Sequence, residues 1–398
     1  MKLVYDYDDI RKIDLVLFIS LSLFIVSRKY LNLLSIIYIS SLGLYIILRI
    51  FRTHNIKLHS NIFRPFVFLF LSLLIIICFS PYSIFDSILT FVFIFIAYVE
   101  FYNDGKIEIN TRYDVIYIVL CIYLGAYFIV SILNGKTGAL FCLPSAWDKN
   151  YSGVAMFIFF SYCKIKNRKA GTALALIYAF IIGSRLYQLS IFIVYLLSLV
   201  TRVNNRFSIG KKIIHRVEKM SFISLVILVT ILFLLMFLVS YLFVKYIPTY
   251  AIAAYGESFI DSSNAIRVRA NMYAFDLLKK GKLLFYGYGN GIQRVLGVED
   301  DIAGNMYMGF RLVQLHNYFL NIYMRHGLLF AIFYTILLCR LIYKKWNLTT
   351  YKYIIPYLIM NLVMHSLLST TYLLGFLYVI SLSPENEFQM KNRRSFFR

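Results

Sequence analysis

SFISLVILVTILFLLMFLVSYLFVKY, residues 221–246, carries no charge before Lys245. An α-helix rises about 1.5 Å per residue, and about 20 apolar residues cross the ~30 Å of bilayer hydrocarbon. The stretch therefore reads as a membrane span. Outward from it, comparable runs recur at about 13–27, 31–49, 64–80, 83–101, 114–134, 150–163, 170–184, 186–201, 318–343, 353–369 and 371–383. Several of these are shorter than 20 residues, so the expected count is eleven or twelve. The composition agrees. Of 398 residues, 60% are hydrophobic and 15% charged, with mean hydropathy +0.72. Soluble domains have roughly 45–50% apolar and about 25% charged residues, which argues against a water-soluble chain. The expected class is an all-α polytopic membrane protein.

Lys and Arg number 41 against 19 Asp and Glu, a formal net charge of +22. The basic residues sit in short connections between apolar runs, which is the pattern of positive-inside topology and not of nucleic-acid binding. Arg49 to Arg64, Lys164 to Lys169, Arg202 to Lys219, Lys344-Lys345 and Lys391 to Arg398 fall on one side, read as cytoplasmic together with both termini. Arg28-Lys29 is the exception, landing outside under this count. The five cysteines, Cys78, Cys121, Cys142, Cys163 and Cys339, have no CxxC pairing and imply neither a disulfide framework nor a zinc site. The first span lacks a small-residue cleavage site and is expected to be retained.

This topology divides the chain into an N-terminal bundle of about nine spans (1–246), an external loop (247–315), and C-terminal helices with a basic tail (316–398). The loop balances its charges and is rich in Tyr, Phe, Leu and Gly, which favours a folded segment over the outer mouth. Asp261 to Asn264 supply N-cap candidates for a helix near 265–280, and Gly281 a stop. Gly287 to Gly291 require a turn.

Five positions carry candidate chemistry. Arg185 interrupts an apolar stretch from Ala170 to Val200, and either pairs with an anion or snorkels to the headgroups. Arg267 and Arg269 lie on the loop helix, where an arginine fork suits phosphate oxygens but a solvated face is the ordinary alternative. His316 stands where the loop re-enters the membrane, as an interfacial residue or a general base. Asp148 opens a span, to orient a sugar hydroxyl or to pair with Lys149. Asn361 and His365, four apart, are expected to form interhelical hydrogen bonds. Asp6 to Asp9 resembles a metal-binding DxD but falls on the cytoplasmic side. No GxxxxGK[ST], HExxH or GxSxG occurs.

In order, DKNYSG (148–153), GSRL (183–186), RANMYAFDLL (269–278), FYGYGNG (285–291) and LHNYFLNIYMRHGL (315–328) resemble the O-antigen polymerase and O-antigen ligase superfamily of bacterial envelopes. The resemblance covers the second half of the chain. It implies a GT-C-like membrane glycosyltransferase of the bacterial inner membrane, with its site facing the periplasm. Such enzymes take a glycan from undecaprenyl diphosphate without nucleotide sugar, cofactor or metal. By position the resemblance assigns catalysis to Arg185, Arg269 and His316. Arg267, Asp148, Tyr273, Asn317, Gly287 and Gly289 become substrate-side or loop-shaping residues. Tyr273 stands where many relatives carry Trp, and Arg267 duplicates Arg269. The implied partners are the undecaprenyl-diphosphate-linked oligosaccharide, membrane lipid, a chain-length regulator and a flippase, with no nucleic acid. Polymerase is the favoured activity, ligation to lipid A–core the rival. A lipid-linked oligosaccharide flippase is the reading from a different class.

Overall fold

The computed structural model describes residues 60–79, 84–98, 149–203, 317–347, 349–364 and 371–383, with scattered positions at 101, 129, 133 and 135, between 223 and 242, and at 287. These residues are helical apart from turns, and no strand occurs among them. In chain order the helices are α1 (Ser60–Phe79), α2 (Ile84–Ala97), α3 (Lys149–Ile165), α4 (Lys169–Ile182), α5 (Arg185–Val203), α6 (Tyr318–His326), α7 (Leu328–Lys344), α8 (Tyr351–Val363) and α9 (Thr371–Ser381).

Apolar side chains line both sides of these helices, and packing sorts them. On α1, Phe66, Leu69, Leu73 and Ile76 are buried at helical spacing, while Phe63, Phe68, Phe70, Leu71, Leu74 and Ile77 stay exposed. The buried stripe faces α7 and α2, the two helices on which α1 packs. Phe66 meets Phe91, Phe95 and Tyr98 edge-on, with the Tyr98 ring 5.1 Å away. The same two-sidedness holds on α5, whose Tyr187, Ile191 and Val194 are buried and whose Leu189, Phe192, Leu196 and Leu199 are exposed. Phe180 of α4 is 81% exposed. Among the described residues no helix is long and apolar enough to cross a membrane. In α1, which comes near, Arg64 leaves fifteen uncharged residues after it.

Turns set the helix directions. Lys166 to Arg168 reverse the chain between α3 and α4, and Gly183-Ser184 reverse it again before α5. Gly183 closes α4 in the left-handed conformation (φ 62°, ψ 26°), and the Ser184 carbonyl accepts the first bond of α5 from Gln188. The start of α3 and the start of α5 therefore share one end of the bundle. Lys149 opens α3 at that end, while Lys164, Lys344 and Lys345 lie at the other. Lys164 lies over the Tyr195 ring, 4.7 Å from its centre, and the Tyr351 hydroxyl donates to the Leu197 carbonyl at 3.2 Å. Trp346 packs on Tyr351, which brings Lys344 and Lys345 to the same end.

The stretch 318–343, expected as one uninterrupted helix, is broken. Gly327 (φ 84°, ψ 171°) ends α6 and begins α7. Its N–H donates to the Tyr323 carbonyl at 2.8 Å, and its own carbonyl accepts from Ala331 at 3.1 Å. The Tyr318 hydroxyl lies within electrostatic range of Tyr334 and Cys339 on α7 and Tyr357 on α8, so the chain turns back at Gly327 and α6 lies along α7. That backbone conformation belongs almost entirely to glycine. Gly327→Ala is expected to destabilise the protein by about 1–3 kcal/mol, read as a melting temperature several degrees lower for the purified chain. The helix expected to run to 369 is described only to Val363, where Met364 turns extended. His365 lies outside the described residues. Asn361 is buried, and its amide donates within its own helix to the Tyr357 carbonyl at 2.6 Å.

Candidate functional site

Two pairs of the sequence segments that carry the candidate chemistry meet in space, both at the end of the bundle opposite Lys164, Lys344 and Lys345. The first pair joins the opening of α3 to the α4–α5 turn. Ser184, fully buried, donates from Oγ to Asn150 Oδ1 at 3.2 Å across 34 residues of chain. One turn along, Gly153 lies so close to α5 that a Cβ there would sit 2.8 Å from Tyr187 Cβ and 3.1 Å from Ser184 Oγ. The Tyr187 hydroxyl then spans the unit, donating to the Ala175 carbonyl of α4 at 3.0 Å and lying 3.4 Å from the Met156 carbonyl of α3. Gln188 adds a bond to the Ala179 carbonyl at 2.9 Å. Helices α3 and α4 hold the first turn of α5 from two sides.

Arg185 is the first residue of α5 and is exposed. No salt-bridge partner for it occurs among the described residues. A guanidinium presents five N–H donors in a planar fork that matches two phosphate oxygens. It also stands at a helix N-terminus, where the backbone favours an anion. The arrangement is a cation on a fixed mount.

The second pair joins Gly287 to the α6–α7 break. Gly287 is buried, and a Cβ on it would overlap the backbone of Arg325 and His326. His326, also buried, shares a hydrogen bond between its Nδ1 and Ser87 Oγ of α2 at 2.7 Å. Its ring packs against Phe330, 4.8 Å between centres. Three segments far apart in sequence thus converge at the hinge: the start of α2, Gly287, and the turn into α7.

Asn317 is the N-cap of α6. Its side-chain oxygen accepts from the Phe319 N–H at 2.9 Å and the Leu320 N–H at 3.2 Å, which satisfies two donors that the first helical turn leaves open. Asn317 is buried. His316, Arg267, Arg269, Tyr273, Gly289 and Asp148 lie outside the described residues. Among the described residues no group of His, Cys, Asp and Glu could hold a metal ion.

Comparison of the chain with protein-family models, with curated proteins and with solved structures finds no match.

Sequence reasoning passed over Asn150, Gly153, Ser184 and the Ser87–His326 pair. Asn150 and Gly153 lie in the quoted DKNYSG segment and Ser184 in GSRL, yet none of these types is distinctive by itself. His326 was hidden by its place inside a run read as one span. Its one signal is the Arg-His-Gly sequence at 325–327, two polar residues and a helix breaker in an apolar stretch.

Proposed function

We propose that this chain is a polytopic membrane glycosyltransferase that polymerises undecaprenyl-diphosphate-linked repeat units of O-antigen, or a related surface polysaccharide, on the outer face of the bacterial inner membrane. The observation that carries the reading is the common end shared by the Asn150–Ser184–Arg185 corner and the Gly287–His326 hinge, opposite the lysine-bearing turns. Under positive-inside topology that end faces outward. The exposed apolar faces of α1, α4 and α5 support a lipid surrounding, since a patch of that extent is unusual in water.

The chemistry assigns each residue one task. A sugar hydroxyl of the acceptor attacks the anomeric carbon of the donor glycan, whose bond to the diphosphate oxygen breaks with its electron pair. Arg185 and Arg269 stabilise the negative charge that develops on the departing diphosphate. His316, neutral before the step, takes the proton of the attacking hydroxyl. Attack opposite the leaving group inverts the anomeric centre. Asn317 caps the start of α6, while Gly287 lets the external segment approach the hinge. Arg267 is the near duplicate. Arg267→Ala is expected to slow transfer less than Arg269→Ala, measured as polymer formed per unit time. The opposite order exchanges the two roles.

A lipopolysaccharide gel of a strain lacking the gene, with plasmid rescue, tests the reading. Core bearing a single repeat unit is the expected result. Bare core with polymer held on the carrier points to ligase, and an unchanged ladder moves the substrate to a capsule.

The break at Gly327 favours a second reading, a lipid-linked oligosaccharide flippase, because transporters build substrate paths from interrupted helices. Two buried polar atoms without a hydrogen-bond partner among the described residues, Tyr318 Oη and Asn361 Oδ1, add to it. Repeat units trapped inside the inner membrane by external-loop variants support the flippase, and units trapped outside support the polymerase.

A further inference from the structure

We infer that Ser184 and Asn150 are positioning residues for Arg185, with Gly153 the point of close approach that lets them meet. The inference rests on the proposed role of Arg185 at the donor diphosphate. An arginine at the tip of a helical hairpin would ordinarily sweep a wide volume, because its backbone moves with the turn and its side chain has four rotatable torsions. Here the turn cannot move freely. Ser184 Oγ ties the residue before Arg185 to Asn150 of a third helix at 3.2 Å. The Tyr187 hydroxyl ties the residue two beyond it to the Ala175 carbonyl at 3.0 Å. Gly153 admits both by lacking a side chain, since its nearest neighbours would be 2.8 Å from any Cβ. Ser184, Gly153 and Tyr187 are buried, whereas Arg185 is exposed. What is fixed is the mount, and what is presented is the charge.

This division has a chemical purpose. A diphosphate leaving group has to meet its cation at the place where charge develops, and a donor already held there need not be ordered when the bond breaks. A loose arginine would still attract the diphosphate but would lose the geometric part of the stabilisation. The positioning bonds therefore have value only while Arg185 is present, which separates positioning from simple stability.

The test uses the full-length protein in detergent, with undecaprenyl diphosphate as probe and undecaprenol, which lacks the diphosphate, as control. Arg185→Ala is expected to weaken diphosphate binding about 10- to 100-fold, the loss of hydrogen bonds to a charged group. Ser184→Ala should weaken it about 3- to 10-fold. Gly153→Ala, which must push α5 away, should behave in the same way. Undecaprenol should bind all variants equally. Ser184→Ala on top of Arg185→Ala should add nothing further, because neighbours that act through one group are not additive. Additive losses, or equal weakening of undecaprenol, would overturn the positioning role and leave Ser184 a structural residue. If Arg185→Ala binds the diphosphate as the unaltered protein does, the donor-site assignment itself fails. If Gly153→Ala does not insert, the Ser184→Ala series decides alone.

Discussion

Arg185→Ala is expected to reduce glycan transfer at least ~100-fold while helix content and membrane insertion stay as they are, and His316→Ala to do the same. Removing one preorganised donor at a developing charge costs about 10²- to 10³-fold in rate, and removing a general base about 10²- to 10⁴-fold. The structural cost of the arginine change is small, because its side chain is exposed at the first position of α5 and Ser184 and Tyr187 make the anchoring bonds. Exposed substitutions of this kind are usually within about 0.5 kcal/mol. The two variants should differ in pattern. Loss of Arg185 should weaken donor binding as well as turnover, whereas loss of His316 should act on turnover alone. Transfer by purified protein, with donor concentration varied, separates the two. Full activity in the His316 variant would remove the general-base assignment.

Gly287→Ala is expected to abolish transfer by a different route. The atoms that a methyl group would meet are the Arg325 carbonyl and the His326 nitrogen, backbone positions at the end of α6 that no rotamer change can withdraw. Overpacking a closed contact costs about 1–3 kcal/mol even where side chains can adjust. At Gly287 the backbone has to lift from the hinge instead. Limited proteolysis should then cut the variant near residue 287 faster than the unaltered chain, while the helices of the bundle keep their protection. A variant cleaved no faster and fully active would show that the chain at Gly287 does not need this seat. The Ser87–His326 bond holds the other side of the same hinge, so the bundle should survive the loss.

Among the described residues, helices were legible where the chain is apolar for more than a dozen residues, because such a run has few other ways to satisfy its backbone. The Gly183-Ser184 turn was legible too, as a glycine beside a charged residue in a long apolar stretch. The break at Gly327 was not. A single glycine in a helical pattern is usually tolerated, and the seat of Gly287 against the Arg325–His326 backbone beside this one is a tertiary contact. The meeting of Asn150 with Ser184 follows from helix lengths that the sequence states only roughly. Seventeen residues out along α3 and fourteen back along α4 differ by three, about 4–5 Å of rise, so the second turn returns beside the first residues of α3. The partners of that corner, Arg269 and His316, were nominated by resemblance and lie outside the described residues.

The most direct measurement is polymer formation by the purified full-length chain in liposomes, given only undecaprenyl-diphosphate-linked repeat units, with chelator present and no nucleotide sugar. The account predicts a ladder of lengthening glycans on the lipid carrier, absent with Arg185→Ala. Repeat units that stay single, or that are consumed only when lipid A–core is supplied, would contradict it.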